Sequence, residues 1–322
     1  TWLLKKRESR TVRLIGIAGV GVLMVLFLVN VIPLVTGNGG RVFITREIPT
    51  DYARFNEFVQ SKPEFFRILG VPSDSRWISH GLQHPQQSAV YATEGVWNEY
   101  LPDAGTRESW QNVLVLLQQP IANKLFDMSS IRYFMVQLSG SAGGESTFGD
   151  YGADRAQYIE TLDRLPYLKR MQIDTDELVV YENDGAVGLF CISDTPTLLG
   201  STGECKDVSF ERIGAGQYDV MIPDTIRPSY LIMTESYHAQ WRLRAGHVHL
   251  PQALFSPDYF LPEQDHVKTD TGFNAFKIDP SMRGVMSVLF VPDAYAWAGN
   301  VMTIIVLVSC CVVDLRFGRR MV

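Results

Sequence analysis

The chain has 322 residues, of which 46% are apolar and 20% charged, and its net charge is −6. That length buries one or two full cores without cross-links. The acidic balance argues against nucleic acid as a partner, because a phosphate backbone rewards clustered Lys and Arg.

The charge is unevenly placed. The flank to Arg13 carries net +4 and the flank after Val313 net +2, which leaves −12 on the residues between. Two apolar stretches, 14–34 and 294–313, separate these zones. Each has about 20 residues, enough at roughly 1.5 Å per residue to cross a hydrocarbon core of roughly 30 Å. Lys5, Lys6, Arg7, Arg10 and Arg13 precede the first stretch, and Arg316, Arg319 and Arg320 follow the second. Lys and Arg resist translocation, so both ends are expected in the cytoplasm and the middle outside it, in a multi-pass protein of the plasma membrane. The first stretch is too long for the apolar segment of a cleaved signal peptide. The chain opens at Thr1 on a basic segment that runs straight into an apolar one. This is expected of a cytoplasmic loop within a longer polytopic protein, whose upstream transmembrane helices would be partners of this one, together with the lipid bilayer.

Between the spans, Asp51 is expected to cap a helix that places Tyr52, Phe55, Phe58 and Val59 on one face. Residues 65–71 read as a buried strand ended by Pro72. An irregular stretch rich in Trp, His, Gln and Gly follows. Helices are expected from Ser109 to about Leu117, from Pro120 to Asp127 and from Arg155 to Leu165. Strands are expected at 131–136, 169–173, 178–181 and 187–192, an alternation that indicates an α/β layer. Beyond residue 200 the pattern changes to strands alone, at 208–213, 218–222, 229–235, 241–245, 275–278 and 285–291, with Pro and Gly between them. This reads as an antiparallel β-sandwich. Tyr295 and Trp297 then stand where interfacial aromatic rings are favoured.

The expected fold class is thus α+β: two transmembrane helices flanking an extracytoplasmic α/β layer followed by an antiparallel β-sandwich. The parts are a cytoplasmic flank (1–13), a transmembrane helix (14–34), the α/β subdomain (35–204), the sandwich (205–293), a second transmembrane helix (294–313) and a cytoplasmic tail (314–322). Cys191 and Cys205 both fall in the external region, where thiols that can meet usually form a disulfide. The alternative is two free thiols, one in a strand and one in a loop.

The order of segments resembles YfhO-like membrane proteins and related GT-C-type glycosyltransferases. The resemblance rests on residues 123–136 (NKLFDMSSIRYFMV), 178–190 (LVVYENDGAVGLF), 208–222 (VSFERIGAGQYDVMI), 230–243 (YLIMTESYHAQWRL) and 272–279 (GFNAFKID), followed by the closing apolar helix. Ala239 and Gln240 stand before Trp241 where that family has a Pro-Gly turn, and the Pro-Arg pair of its second segment is missing. The resemblance implies a polytopic enzyme, or its accessory, that moves a sugar from a polyprenyl-phosphate donor to a cell-envelope glycan. It places the catalytic acid in an early external loop, upstream of this chain. No catalytic residue and no resident cofactor therefore carry over.

Chemistry native to the external region is sparse. His80 with His84, and His247 with His249, lack the three or four converging ligands of a zinc site, so no metal is expected. No Gly-x-Ser-x-Gly occurs, Ser139–Ser141 lies in a loop, and Gly37–Gly40 lacks the strand and Lys of a phosphate cradle. The better candidate is a carbohydrate-binding platform in the irregular stretch, where aromatic rings would stack on sugar faces and polar groups take hydroxyls. Its candidates are Trp77, Tyr91, Glu94, Trp97, Asn98 and Tyr100. Packing of those rings into the α/β core is the competing expectation. A non-enzymatic alternative also stands, a two-span envelope protein that binds glycan in the manner of polysaccharide co-polymerases.

Overall fold

The computed structural model describes Gly21 and residues 48–318, apart from 76, 79–80, 82, 139–154, 201–203, 225–226, 228 and 249–261. The expected first transmembrane helix, except Gly21, lies outside the described residues, as do the basic flank, Gly37–Gly40, Ser139–Ser141, His80 and His249. The chain divides into one compact unit ending at Ile48 and another beginning at Pro49. The second holds every element described here.

Its first layer is a mixed sheet in the order β2-β1-β3-β5-β4. The strands are β1 (Arg67–Val71), β2 (Gln86–Ser88), β3 (Ile131–Gln137), β4 (Lys169–Arg170) and β5 (Leu178–Glu182). β1 runs parallel to β2 and β3, while β5 returns antiparallel to β3. Both faces are covered. Leu69, Val71, Phe134, Val136, Val179 and Tyr181 pack under α2 (Ala89–Glu94), α3 (Ser109–Leu117), α4 (Ala122–Met128) and α5 (Arg155–Asp163). The alternate residues Ile68, Tyr133, Met135, Leu178 and Val180 pack on Tyr52, Phe55 and Val59 of α1 (Thr50–Gln60). Successive side chains in a strand point to opposite faces, so a strand covered on both sides reads as an unbroken apolar run.

Asp51 does not cap α1. Pro49 occupies the N-cap position, and the Asp51 carboxylate instead accepts from the backbone N–H groups of Asp176 and Glu177, both at 2.7 Å. A carboxylate one residue inside the helix sits too far along to reach the first free amides, and a neighbouring turn supplies others.

The second layer pairs two antiparallel sheets, β12-β13-β10-β6-β7 and β11-β14-β9-β8. The first contains β6 (Phe190–Ser193), β7 (Lys206–Asp207), β10 (Ser229–Ser236), β12 (His266–Lys268) and β13 (Phe273–Ile278). The second contains β8 (Phe210–Gly214), β9 (Gln217–Ile222), β11 (Trp241–Ala245) and β14 (Gly284–Phe290). Phe190, Tyr218, Val220, Leu231, Met233, Leu243, Phe276 and Val288 fill the space between them. The strand expected at 187–192 in the α/β layer is β6, and it belongs to the sandwich: Cys191 pairs with Ile232 of β10. Cys191 and Cys205 are joined by a disulfide with their Cα atoms 5.4 Å apart. The outer face of this sheet, through Ile232, Phe273 and Ala275, meets Met128 at the end of α4. That contact seats the sandwich on the first layer.

β14 passes directly into α6 (Val291–Gly318), 28 residues long. Its segment Val291–Ser309 is long and apolar enough to cross a membrane, and only 6% of it is buried. Met302 and Leu307 are 60% and 61% exposed, so this is not a core helix. Among the described residues it is the one such helix, so the expected pair of flanking spans is not seen there. The first is among the residues left undescribed. Tyr295 and Trp297 are exposed on the first turns of α6.

Candidate functional site

The six residues proposed as a sugar platform do not share a surface. Trp97 is 1% exposed and stands edge-on to Phe126 at 5.5 Å, within the core under α2 and α3. Trp77 is 7% exposed and belongs to the core on the opposite face of the sheet, beside α1. Neither is exposed enough to form an open stacking platform. A two-sided sheet needs large rings on both sides, and these two supply them. Tyr91 is 62% exposed on α2, while Glu94, which accepts from Ser109 Oγ, and Asn98 are also at the surface. Tyr100 is half-buried, and its hydroxyl donates to the backbone carbonyl of Asp270. Burial raises its pKa further above the usual phenol value. Asp270 in turn accepts from the amides of Leu198 and Leu199 at 2.7 and 2.8 Å, so Tyr100 is a tie between layers.

The concave site lies elsewhere, at the seam of the two layers. A cavity of about 210 Å³ opens between β1, β2, the Val96–Trp97 turn, Ser129, the end of β10 and Phe273. Its organising residue is Arg67, a cation placed in an otherwise apolar strand. Arg67 Nη1 donates to the Ser129 carbonyl at 3.0 Å and to Thr234 Oγ1 at 3.2 Å, and Nη2 donates to Glu235 Oε1 at 2.9 Å. Its guanidinium also lies over the Phe65 ring, 5.2 Å from the centroid. Thr234 Oγ1 shares a second hydrogen bond with Ser130 Oγ at 2.8 Å, and Ser130 Oγ donates to the Gly188 carbonyl at 3.1 Å. Apart from the Arg67–Ser129 bond, which stays within the first layer, these bonds cross from the first layer to the segment that carries the sandwich. The Ser129 hydroxyl is buried and has no hydrogen-bond partner among the described residues.

Of the cavity lining, Trp97 was singled out from the sequence as a platform residue, while Arg67, Ser129, Thr234 and Glu235 were not. Arg67 did leave a signal, a lone charge inside the run Phe65–Val71, which a buried strand tolerates only when the charge is partnered. Glu235 and Thr234 left none, because nothing local distinguishes them from other polar residues at a strand end.

A second polar cluster has the composition of a hydrolase site but not its geometry. The Asp219 carboxylate accepts from Ser287 Oγ through Oδ1 and pairs with His247 Nδ1 through Oδ2. Ser287 Oγ also meets the Gly246 carbonyl at 2.9 Å and accepts from the Val248 amide at 3.0 Å. The carboxylate thus separates hydroxyl from imidazole, so the imidazole is not placed to take the hydroxyl proton as in a Ser-His-Asp triad. These bonds pin the 246–248 turn to β9 and β14. Among the described residues, no group of three or more His, Cys, Asp or Glu side chains could hold a metal ion.

Of the remaining described histidines, His238 is exposed and two are packed. His84 stacks on Phe66 at 4.0 Å, and His266 stacks on Phe276 at 4.4 Å while pairing with Asn274 Oδ1 at 3.1 Å. Burial holds both pKa values below the ordinary 6.5. Burial also raises the Asp127 carboxyl, against the opposing hydrogen bond from Asn183 Nδ2 at 2.8 Å.

No protein-family model matches this chain, and neither does any curated protein. Among solved structures, a mutant form of the arabinofuranosyltransferase AftD from mycobacteria is similar to part of it. The identity is 12%, the match covers 37% of this chain and 8% of the AftD chain, and the TM-score is 0.22. Similarity at that level carries no argument about fold or activity.

Proposed function

We propose that this chain is the membrane-tethered, extracytoplasmic part of a polytopic membrane glycosyltransferase or of its accessory. Its place of action is where a sugar passes from a polyprenyl-phosphate donor to a cell-envelope glycan. The observation that carries the tethering is α6: an apolar helix, exposed over most of Tyr295–Ser309, that continues the last strand of the sandwich without a linker. The disulfide between Cys191 and Cys205 supports an oxidising compartment for the domain. The glycosyl-transfer reading rests on the resemblance of the ordered segments between residues 123 and 279, which supply strands to both layers. In this reading the domain shapes the acceptor side and contributes no catalytic acid or base. The short helices favour it over the co-polymerase alternative, whose external region is dominated by long helices. Among the described elements outside α6, the longest helix has 11 residues.

Membranes carrying the full protein, incubated with labelled polyprenyl-phosphate sugars and an envelope glycan acceptor, test the proposal. Transfer that falls when the 49–290 region is deleted supports it. Turnover with no donor at all, from protein that is folded and membrane-inserted, contradicts it.

A further inference from the structure

We infer that the seam cavity holds one uncharged sugar residue, the terminus or a branch of a glycan chain. The inference rests on the glycan-directed reading above and assigns that reading a site.

Size limits the occupant first. Pockets for drug-sized ligands run roughly 300–1,000 Å³, and this one, at about 210 Å³, has room for a single ring rather than an oligosaccharide or a lipid tail. Charge limits it next. Arg67 is the cation in the lining, and Glu235 already neutralises it at 2.9 Å. An anionic group would meet the Glu235 carboxylate at short range and compete with it for Arg67. A neutral polyol disturbs nothing.

The functional groups present fit such a polyol. Glu235 engages Arg67 through Oε1 alone, which leaves Oε2 to accept from ring hydroxyls. Gln87 offers an amide that can both donate and accept. Val96, half-exposed, and Phe273, buried, provide apolar surface in the lining for the C–H face of a sugar ring. The two walls belong to different layers, yet Arg67 ties them together through Ser129 and Thr234, so the site is formed before ligand arrives.

The test is saturation-transfer NMR and titration on the full chain in lipid nanodiscs. The probes are methyl α-D-mannopyranoside, methyl β-D-glucopyranoside and methyl α-D-galactopyranoside, with methyl β-D-glucuronide as the charged comparison. At least one neutral glycoside is expected to bind in preference to the glucuronide. Glu235→Ala is expected to weaken it about tenfold or more, the loss of hydrogen bonds to a charged group. Val96→Trp is expected to abolish binding by filling the cavity, while leaving the ion pair and the melting temperature unchanged, so the test survives if Glu235→Ala folds poorly. Binding of no neutral glycoside, equal or tighter binding of the glucuronide, or binding that persists in Val96→Trp overturns the inference. Sugar transfer and membrane insertion measured on the same protein separate the two levels. If both stand while glycoside binding is absent, only the cavity assignment falls; if insertion fails, the functional reading falls.

Discussion

The two layers of this domain solve the same burial problem in different ways. In the α/β layer the central strands are covered on both faces, and β1 is buried at all five positions. In the sandwich each sheet has one inner face, and edge strands such as β8 alternate between half-buried and exposed residues. The first arrangement concentrates apolar residues in short runs and leaves little room for a polar side chain. The second spreads them at every other position and leaves an outer face free. Where that outer face meets the first layer, apolar contact is limited, and the polar group of Arg67, Thr234, Ser130 and Glu235 completes the join. Function is assigned here to the seam because the two packing schemes leave a hollow there that is lined by polar groups.

The comparison can be broken by truncating one core at a time. Phe126→Ala in the first layer and Phe190→Ala in the second each remove a fully buried ring, and each is expected to cost about 3–5 kcal/mol. Denaturant melts followed by near-ultraviolet circular dichroism should show one shared transition for both variants if the seam couples the layers. Two separated transitions would mean that the layers are independent. Replacing both Cys191 and Cys205 by Ser acts on the sandwich alone. The bridge spans a sequence separation of 14, and removing it is expected to cost about 3 kcal/mol in the chain-entropy account. A thermal melt with and without reductant checks this, and the double Ser variant should be insensitive to reductant.

Arg67→Met sharpens the comparison at the join itself. It leaves Glu235 without its partner, but Glu235 is 39% exposed and can rehydrate, so the expected loss is about 2 kcal/mol rather than the larger cost of stranding a fully buried charge. The loss should appear as reduced cooperativity between the layers, read as a lower denaturant slope. The smallest effect is that of pH. His84 and His266 titrate below 6.5 in the fold, so each is held neutral and contributes stability that is complete above the unfolded value. That contribution is lost as pH falls below 6.5. Asp127 and Asp207, raised by burial, act in the opposite sense and lose their contribution as pH rises through their folded values. Melting temperature is therefore expected to drop between pH 7.5 and 5.5. The double substitution His84→Phe and His266→Phe, which keeps both stacks, should flatten the profile.

Much of the fold was legible because burial on two faces and burial on one face write different patterns. The runs around Ile68, Phe134 and Val180 showed their strands, and the alternation at Tyr218–Ile222 and Trp241–Ala245 showed the sandwich. Two features escaped. α2 has six residues, too few to display a helical period, and lies in a stretch dominated by Trp, Gln and His. β6 is apolar enough to sit in either layer, and its place was decided by pairing with β10, which no local pattern reveals. The aromatic residues of the irregular stretch allowed a binding surface or core packing, and packing holds for Trp77 and Trp97 because both faces of the first sheet need filling. The cavity was illegible for a related reason. Arg67, Ser129, Glu235 and Phe273 come from four separate segments and meet only when the layers dock.

The account depends most on the domain standing outside the cytoplasm while α6 holds it in the bilayer. Thiol trapping tests this in one measurement: intact cells are quenched with an alkylating agent, membranes are washed with alkaline carbonate, and the retained protein is digested and analysed by mass spectrometry. The account predicts that the chain stays with the membranes and yields a peptide linked through Cys191 and Cys205. Recovery in the carbonate wash, or retention with both cysteines alkylated as free thiols, would contradict it.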